Sequence, residues 1–192
     1  GTSMGAVIGA LYSIGYSGEE IEDLFLNTYW IELLEEDISR DNLAISQKRW
    51  ALFNNFRLPI LKNYRVSLPQ GIIVGNKLIN FFFEITYPYN TYRDFSDFDI
   101  PFSCTASDIL TGEQVVFREG CLHEVLRASM SIPSIFKPVR VNGNLCIDGG
   151  ITSNLPAEIA YKEGIDFIIG VKTNTEMKNE ENLITVFDKL LE

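Results

Sequence analysis

The first five residues read Gly-Thr-Ser-Met-Gly, which fits the pattern G-x-S-x-G. This pattern forms a sharp turn between a strand and a helix and exposes the hydroxyl of its serine, here Ser3. The flanking glycines remove side chains that would clash in such a tight turn. Residues 4–16 follow with helical spacing, and small residues on one face, Gly5 and Gly9, predict close approach to a sheet. The start of the chain therefore favours helices packed against a sheet.

The rest of the pattern alternates between helices and strands. Helical spacing and caps predict helices over residues 4–16, from Ser17 onwards, over 75–85, around 122–126 and between Pro156 and Gly164. Apolar runs predict strands over 100–107, 114–118, 139–141, 145–147 and 165–171. Asn142-Gly143-Asn144 is a strong hairpin signal, and the continuous apolar run 165–171 is typical of a central parallel strand. We expect an α/β fold of three layers with one antiparallel hairpin.

The 192 residues suffice for one domain, so we expect a single domain over 1–192. Residues 30–68 lack regular periodicity and mix aromatics with charges, which favours a variable, loop-rich excursion. Its aromatic rings are either lipid- or substrate-facing or simply part of the core. Residues 173–192 end in helical periodicity and predict a C-terminal helix. The absence of an initiator Met and the uncapped end suggest a fragment of a longer protein, lacking the strand ahead of Ser3.

Composition excludes several classes of function. Sixteen basic and 26 acidic residues give a net charge of −10, which disfavours binding to nucleic acid phosphates. The same charge disfavours electrostatic attachment to an anionic bilayer, so any membrane contact would be apolar. The three cysteines are widely spaced and form neither a zinc-ligand pattern nor a disulfide framework. No apolar segment approaches the ~20 residues that span a bilayer.

A nucleophilic serine needs a base, and two side chains are candidates. The chain has one histidine, His123, on the flank of an apolar helical stripe, where a half-exposed surface residue is equally expected. It precedes the best acid candidate, whereas α/β-hydrolases run Ser, acid, His. That acid is Asp148, at the end of a short apolar strand and before two glycines that admit close approach of substrate. An ordinary turn aspartate is the alternative.

Taken together, the motifs resemble those of the patatin-like phospholipase family. The opening G-x-S-x-G is followed, in the family's order, by a D-x-x-T-G-E turn, an R-A-S-x-S-I-P-x-x-F-x-P-V stretch, a D-G-G-x-x-x-N-x-P segment and a G-x-D-x-x-I-x-V strand. In this chain these are residues 108–113, 127–139, 148–156 and 164–171. The resemblance thus covers residues 1–171, with only the excursion unmatched.

The resemblance implies a lipid acyl hydrolase with a Ser–Asp dyad and no catalytic histidine. Ser3 would be the nucleophile and Asp148 its base, acting on phospholipid or acyl-glycerol esters at a membrane surface through an acyl-enzyme. No metal and no organic cofactor is implied. An aspartate that takes the serine proton directly should lie within ~3 Å of the hydroxyl, and burial should raise its basicity.

One departure from the family pattern leaves an alternative open. The family's glycine-rich oxyanion loop, which precedes the nucleophile, has no counterpart here, so we also expect that this chain by itself could be crippled or serve as a non-enzymatic lipid- or protein-binding domain. A Ser-His-Asp hydrolase using His123 is a third hypothesis. The sequence does not distinguish between the bacterial cytoplasm and the cell envelope as the location of the protein.

Other polar or aromatic clusters are expected to be structural. These are the hydroxyls of Ser129, Ser131 and Ser134 as turn and cap groups, the acidic run 35–37 as a solvated face, Asn154 as a cap, and Phe81, Phe82 and Phe83 as core residues rather than an acyl pocket.

Overall fold

The computed structural model describes residues 1–34 and 71–172. The helices in these residues are α1 (Met4–Ser13), α2 (Gly18–Asn27), α3 (Trp30–Leu34), α4 (Asn76–Ile85), α5 (Leu122–Ser129) and α6 (Ala157–Lys162). The strands are β1 (Gly71–Ile73), β2 (Arg93–Asp94), β3 (Cys104–Asp108), β4 (Gln114–Phe117), β5 (Glu119–Gly120), β6 (Ser134–Phe136), β7 (Val139–Val141) and β8 (Asn144–Asp148). Short 3₁₀ turns cover Phe95–Asp97 and Gly149–Ile151.

A four-stranded antiparallel sheet in the order β4-β3-β8-β7 carries the fold. Strand β3 lies inside this sheet, pairing with β4 on one side and β8 on the other, and its residues are all buried. Its register sets Ala106 opposite Asp148. Two smaller pairs, parallel β1–β6 and antiparallel β2–β5, lie outside this sheet.

Helix α5 packs against β3, β7 and β8 and is the centre of the helical side of the core. Its apolar face, Leu122, Val125 and Leu126, is fully buried. Helices α1 and α4 both pack against α5. The α/β class expected from the sequence is confirmed, and the helices and sheet share one apolar core.

The predictions from local residue chemistry are confirmed. Helix α1 ends before Gly15, which adopts φ 105°. The capping box is present, because the Ser17 hydroxyl accepts the Glu20 N–H and the Glu20 carboxylate accepts the Ser17 N–H. Asn142 and Gly143 turn the β7–β8 hairpin with φ values of 49° and 88°, as a two-residue type I′ turn requires.

The prediction of a central parallel strand over 165–171 is wrong for this structure. Residues 165–171 pair with no strand among the described residues, and Phe167 and Ile169 are each 78% exposed. The main sheet is antiparallel, so it contains the β3–β4 hairpin as well as the one expected. A continuous apolar run is typical of a strand that is buried on both faces. The run itself, however, does not show whether neighbouring strands are present to pair with it.

Three other boundaries need correction or lie outside the described residues. Strand β3 begins at Cys104 instead of residue 100, since Pro101 lacks the N–H that a ladder needs. The predicted excursion starts as a helix, α3, whose Trp30 packs against Phe25 and Phe81. Its remainder from residue 35, with the acidic run 35–37, and the predicted helix 173–192 lie outside the described residues.

Within residues 1–34 and 71–172, no helix has the length and apolar character needed to cross a bilayer.

Replacing Ser17 by Ala should lower the free energy of unfolding by about 1 kcal/mol, because the first turn of α2 loses its side-chain acceptor. Urea denaturation measures the change. Ser17→Asp keeps an acceptor at the same position and should retain most of the stability; equal loss in both variants would contradict a capping role.

Candidate active site

Ser3 occupies a strained turn at the start of α1. It is the N-cap residue, with φ 52° and ψ −125°, a conformation that side-chain-bearing residues rarely adopt and that costs about 1–3 kcal/mol. The first glycine of the motif, Gly1, lies against helix α1. A Cβ at this position would overlap the carbonyl oxygen of Gly5, so the position requires glycine. By contrast, a Cβ on Gly5 would meet no atom within 4 Å, so the expected close packing at that glycine is absent from the described residues. Gly9 packs against the Phe102 ring, which precedes β3 and is not part of the sheet.

Asp148, the last residue of β8, lies directly against the Ser3 hydroxyl. Ser3 Oγ donates to Asp148 Oδ2 at 2.7 Å. The other carboxylate oxygen, Oδ1, accepts the Gly150 N–H at 2.7 Å. These two bonds use both oxygens and orient the carboxylate toward Ser3.

Burial raises the pKa of the Asp148 carboxyl above its ordinary value, because only 7% of the residue is exposed and the charged form is desolvated. The hydrogen bonds from Ser3 and Gly150 act in the opposite direction and do not cancel the burial. The side chain is therefore a stronger base than an exposed aspartate.

Thr105 in β3 connects the Ser3 turn to the Asp148 strand. Its N–H donates to the Gly1 carbonyl at 3.0 Å, and its hydroxyl lies 2.8 Å from that of Thr2. Its carbonyl faces Gly149, where a Cβ would overlap the carbonyl oxygen. The Ser3 turn and the Asp148 turn are thus joined through a strand that belongs to neither motif.

Ser129, at the end of α5, contacts both Thr105 and the Ser3 backbone. Its Oγ accepts the Ser3 N–H at 2.9 Å and donates to the Thr105 carbonyl at 2.7 Å. The sequence predicts only a turn or cap hydroxyl for Ser129 and does not predict its contact with the Ser3 backbone. The sequence carries little signal for it, since a serine after Arg-Ala at a helix end is compatible with many roles.

The first turn of α1 presents backbone donors beside the Ser3 hydroxyl. The N–H groups of Ala6 and Val7 bond to the Ser3 carbonyl, whereas those of Met4 and Gly5 have no acceptor among the described residues. The N–H after a nucleophilic serine is a standard oxyanion donor, and the helix dipole adds positive potential there. The arrangement joins a hydroxyl, a base and a donor for developing negative charge.

His123 is not part of this arrangement. Its ring packs edge-on against Phe83 at a centroid distance of 5.2 Å, and its buried Nδ1 has no hydrogen-bond partner among the described residues. The Asp148 carboxylate accepts a hydrogen bond from the Ser3 hydroxyl directly, with no imidazole between them. The structure therefore contradicts the Ser-His-Asp hypothesis.

The three phenylalanines have different environments. Phe82 is fully buried core, as expected, and Phe83 is 46% exposed. Phe81 lines a cavity of about 420 Å³ together with residues of α3 and α4, and neither Ser3 nor Asp148 lines that cavity. In residues 1–34 and 71–172, no three His, Cys, Asp or Glu side chains are close enough together to hold a metal ion.

Replacing Gly149 by Ala should destabilise the protein by roughly 1–3 kcal/mol, because the new methyl group must displace the Thr105 backbone. Gly18 is the matched control: a Cβ there meets nothing within 4 Å and lies on a helix. Gly18→Ala should be neutral or stabilising in urea denaturation. Equal stability of the two alanine variants would show that the contact between β3 and the Asp148 turn is not tight.

Known proteins match this chain over most of its length. The family model for patatin-like phospholipases, Patatin, covers residues 1–161. An uncharacterised NTE family protein of Mycobacterium tuberculosis is 30% identical over 160 residues, 83% of this chain and 22% of the relative. A second such protein of the same species is 27% identical over 175 residues, 91% of this chain and 40% of the relative.

Lysophospholipase NTE1 of Candida albicans is 29% identical over 105 residues, 46% of this chain and 8% of the relative. The chain spans two fifths or less of the length of these relatives. The family model nevertheless covers the Ser3 turn, β3, α5 and the Asp148 turn in one continuous match. The chain belongs to the patatin-like phospholipase family.

Proposed function

We propose that the protein is a lipid acyl hydrolase that cleaves ester bonds through a Ser3–Asp148 dyad. The observation that carries the proposal is the 2.7 Å hydrogen bond from Ser3 Oγ to Asp148 Oδ2. A general base must be within about 2.6–3.2 Å of the proton it removes, and Asp148 meets that requirement before substrate binds.

The reaction runs in two balanced halves. Ser3 Oγ attacks the ester carbonyl carbon as its proton passes to Asp148 Oδ2, and the tetrahedral oxyanion then expels the alcohol, which takes the proton back from Asp148. The acyl group stays on Ser3 Oγ. Water next gives a proton to Asp148 as its oxygen attacks the acyl carbon, and collapse returns that proton to Ser3 Oγ and releases the carboxylic acid.

Two features of the site support an aspartate in this role. Burial raises the pKa of Asp148, which strengthens it as a base, while the Gly150 N–H keeps one carboxylate oxygen engaged and leaves the other for the proton. The Met4 N–H can donate to the oxyanion, and one such donor is worth about 100- to 1,000-fold in rate.

The substrate class follows from family membership and from the surroundings of the dyad. The Candida relative is named as a lysophospholipase. Two apolar side chains near the two reacting residues in sequence are exposed: Met4 follows Ser3, and Ile151 lies three residues after Asp148. These side chains suit an acyl chain better than a polar substrate, so we assign phospholipid or other acyl-glycerol esters, met at a membrane surface. The intact dyad argues against a purely binding role.

Ser3→Ala should abolish covalent labelling by a fluorophosphonate probe, because the probe reacts with an activated serine hydroxyl. Labelling is read from fluorescence in a denaturing gel and by mass spectrometry of the modified peptide. His123→Ala is the control and should label at nearly the parent rate. Labelling that survives Ser3→Ala would overturn the nucleophile, and loss with His123→Ala would revive a histidine base.

Asp148→Asn should reduce ester hydrolysis by at least about 1,000-fold, since the amide fits the same space but cannot take a proton. In the parent, hydrolysis should fall as pH drops through the raised pKa of Asp148, above the ordinary value of about 3.9. Rates of a soluble short-chain ester against pH measure both effects.

The free energy of unfolding should fall as pH rises, whereas activity should increase. Because the folded-state pKa of Asp148 is raised, its contribution to stability is present below the unfolded pKa and is lost as pH rises through the folded value. The parent should therefore lose stability relative to Asp148→Asn as pH rises above about 4. Asp97→Asn, at an exposed carboxylate, is the control and should leave activity unchanged. An active Asp148→Asn protein would identify another base.

A further inference from the structure

The buried hydroxyl of Ser129 makes two hydrogen bonds of opposite polarity. Ser129 is 0% exposed. Its Oγ donates to the Thr105 carbonyl at 2.7 Å and accepts the Ser3 N–H at 2.9 Å. A hydroxyl has one proton, so the bond to Thr105 commits that proton and leaves a lone pair for the Ser3 amide. The direction of both bonds is therefore determined.

We propose that Ser129 is a positioning residue for hydrolysis: its hydroxyl holds the Ser3 backbone in the conformation that presents Ser3 Oγ to Asp148. This inference rests on the proposed function of the dyad. Ser129 does not contact the reacting oxygen and acts only through the Ser3 amide.

The Ser3 conformation needs restraint on both sides. At φ 52° it lies outside the regions that L-residues favour. The Ser3 carbonyl is held by the N–H groups of Ala6 and Val7, which are part of α1. The Ser3 N–H lies outside the helix, and Ser129 Oγ is its acceptor. Without that acceptor, rotation about φ is free to move the side chain away from Asp148.

The hydrogen bond from the Ser3 N–H to Ser129 also orients the Met4 N–H, the proposed oxyanion donor. The Met4 N–H belongs to the peptide that follows Ser3, so its direction depends on the Ser3 backbone angles. Holding Ser3 therefore aligns the nucleophile and the oxyanion donor together, and a small displacement affects both. Misplacement by about 1 Å costs about 100-fold in rate.

Ser129 itself is held firmly because α5 is anchored from another direction. Two residues earlier, Arg127 is 1% exposed, donates to the Val74 carbonyl at 2.9 Å and lies 4.5 Å from the centre of the Phe136 ring. Gly75 leaves room for this guanidinium, since a Cβ there would lie 2.6 Å from it. The end of α5 is thus a fixed support for the Ser3 turn.

The test replaces Ser129 by Ala and separates kcat from KM with a soluble short-chain ester, well below the unfolding temperature. We expect kcat to fall about 10- to 100-fold with KM within about twofold of the parent. The maximal rate of fluorophosphonate labelling at Ser3 should fall by a similar factor. The acidic limb of the pH profile should move to higher pH, since Asp148 loses part of the Ser3 hydrogen bond that lowers its pKa.

Thr86→Val is the matched control, because Thr86 is also 0% exposed and its hydroxyl bonds to Phe82 and Asn90, away from the dyad. It should lower the melting temperature and leave kcat and the labelling rate unchanged. If both variants lower the melting temperature equally but only Ser129→Ala lowers kcat, the result supports a positioning role for Ser129. A parent-like kcat in Ser129→Ala overturns it.

Two further variants keep the result decisive. If Ser129→Ala does not fold, Ser129→Cys fills the same space with a thiol whose hydrogen bonds to Ser3 and Thr105 are much weaker; a reduced kcat there supports the inference and a parent-like kcat overturns it. Ser3→Ala separates this inference from the proposed function. Its failure to abolish turnover overturns the dyad, whereas an inactive Ser3→Ala beside a fully active Ser129→Ala overturns only the role of Ser129.

Discussion

The pairing of β3 with both halves of the site is the constraint on which the arrangement depends. Thr105 bonds through its N–H to the Ser3 turn and through its carbonyl to Ser129, and its neighbour Ala106 pairs with Asp148. Two motifs about 145 residues apart are thereby brought within hydrogen-bonding distance. A one-residue slip of β3 against β8 would turn the Asp148 side chain to the opposite face of the sheet. Strand register therefore controls whether the Ser3 and Asp148 side chains can meet.

Glycine placement makes this register possible. A Cβ on Gly1 would overlap the Gly5 carbonyl oxygen and a Cβ on Gly149 would overlap that of Thr105, so the Ser3 turn closes on its own helix and the Asp148 turn closes on β3. Close approach excludes water from around Asp148, and exclusion of water raises its pKa. A side chain at Gly149 would push the Asp148 turn away from the Thr105 backbone of β3.

The parts of the structure that follow local rules could be predicted from sequence. The Ser17–Glu20 capping box and the Asn142-Gly143 turn need only neighbouring residues. Ser3 and Asp148 were expected to meet because several motifs occur together in the order of one family, and the structure places Ser3 Oγ 2.7 Å from Asp148 Oδ2. The region 165–171 was assigned wrongly, since an apolar run does not reveal its strand partners. Ser129 was missed as a contact of Ser3, because a hydrogen bond between a helix end and a turn 126 residues away has no periodic signature.

The positive φ of Ser3 has a consequence for how sequences of this kind drift. Glycine would adopt the same backbone angles without steric cost, so Ser3→Gly relaxes the turn while removing the reactive oxygen. A laboratory selection for heat resistance alone would therefore reward loss of the hydroxyl. Retention of serine at that position in a surviving lineage is a record of selection for chemistry, and a glycine there would identify a descendant that kept the scaffold and gave up turnover.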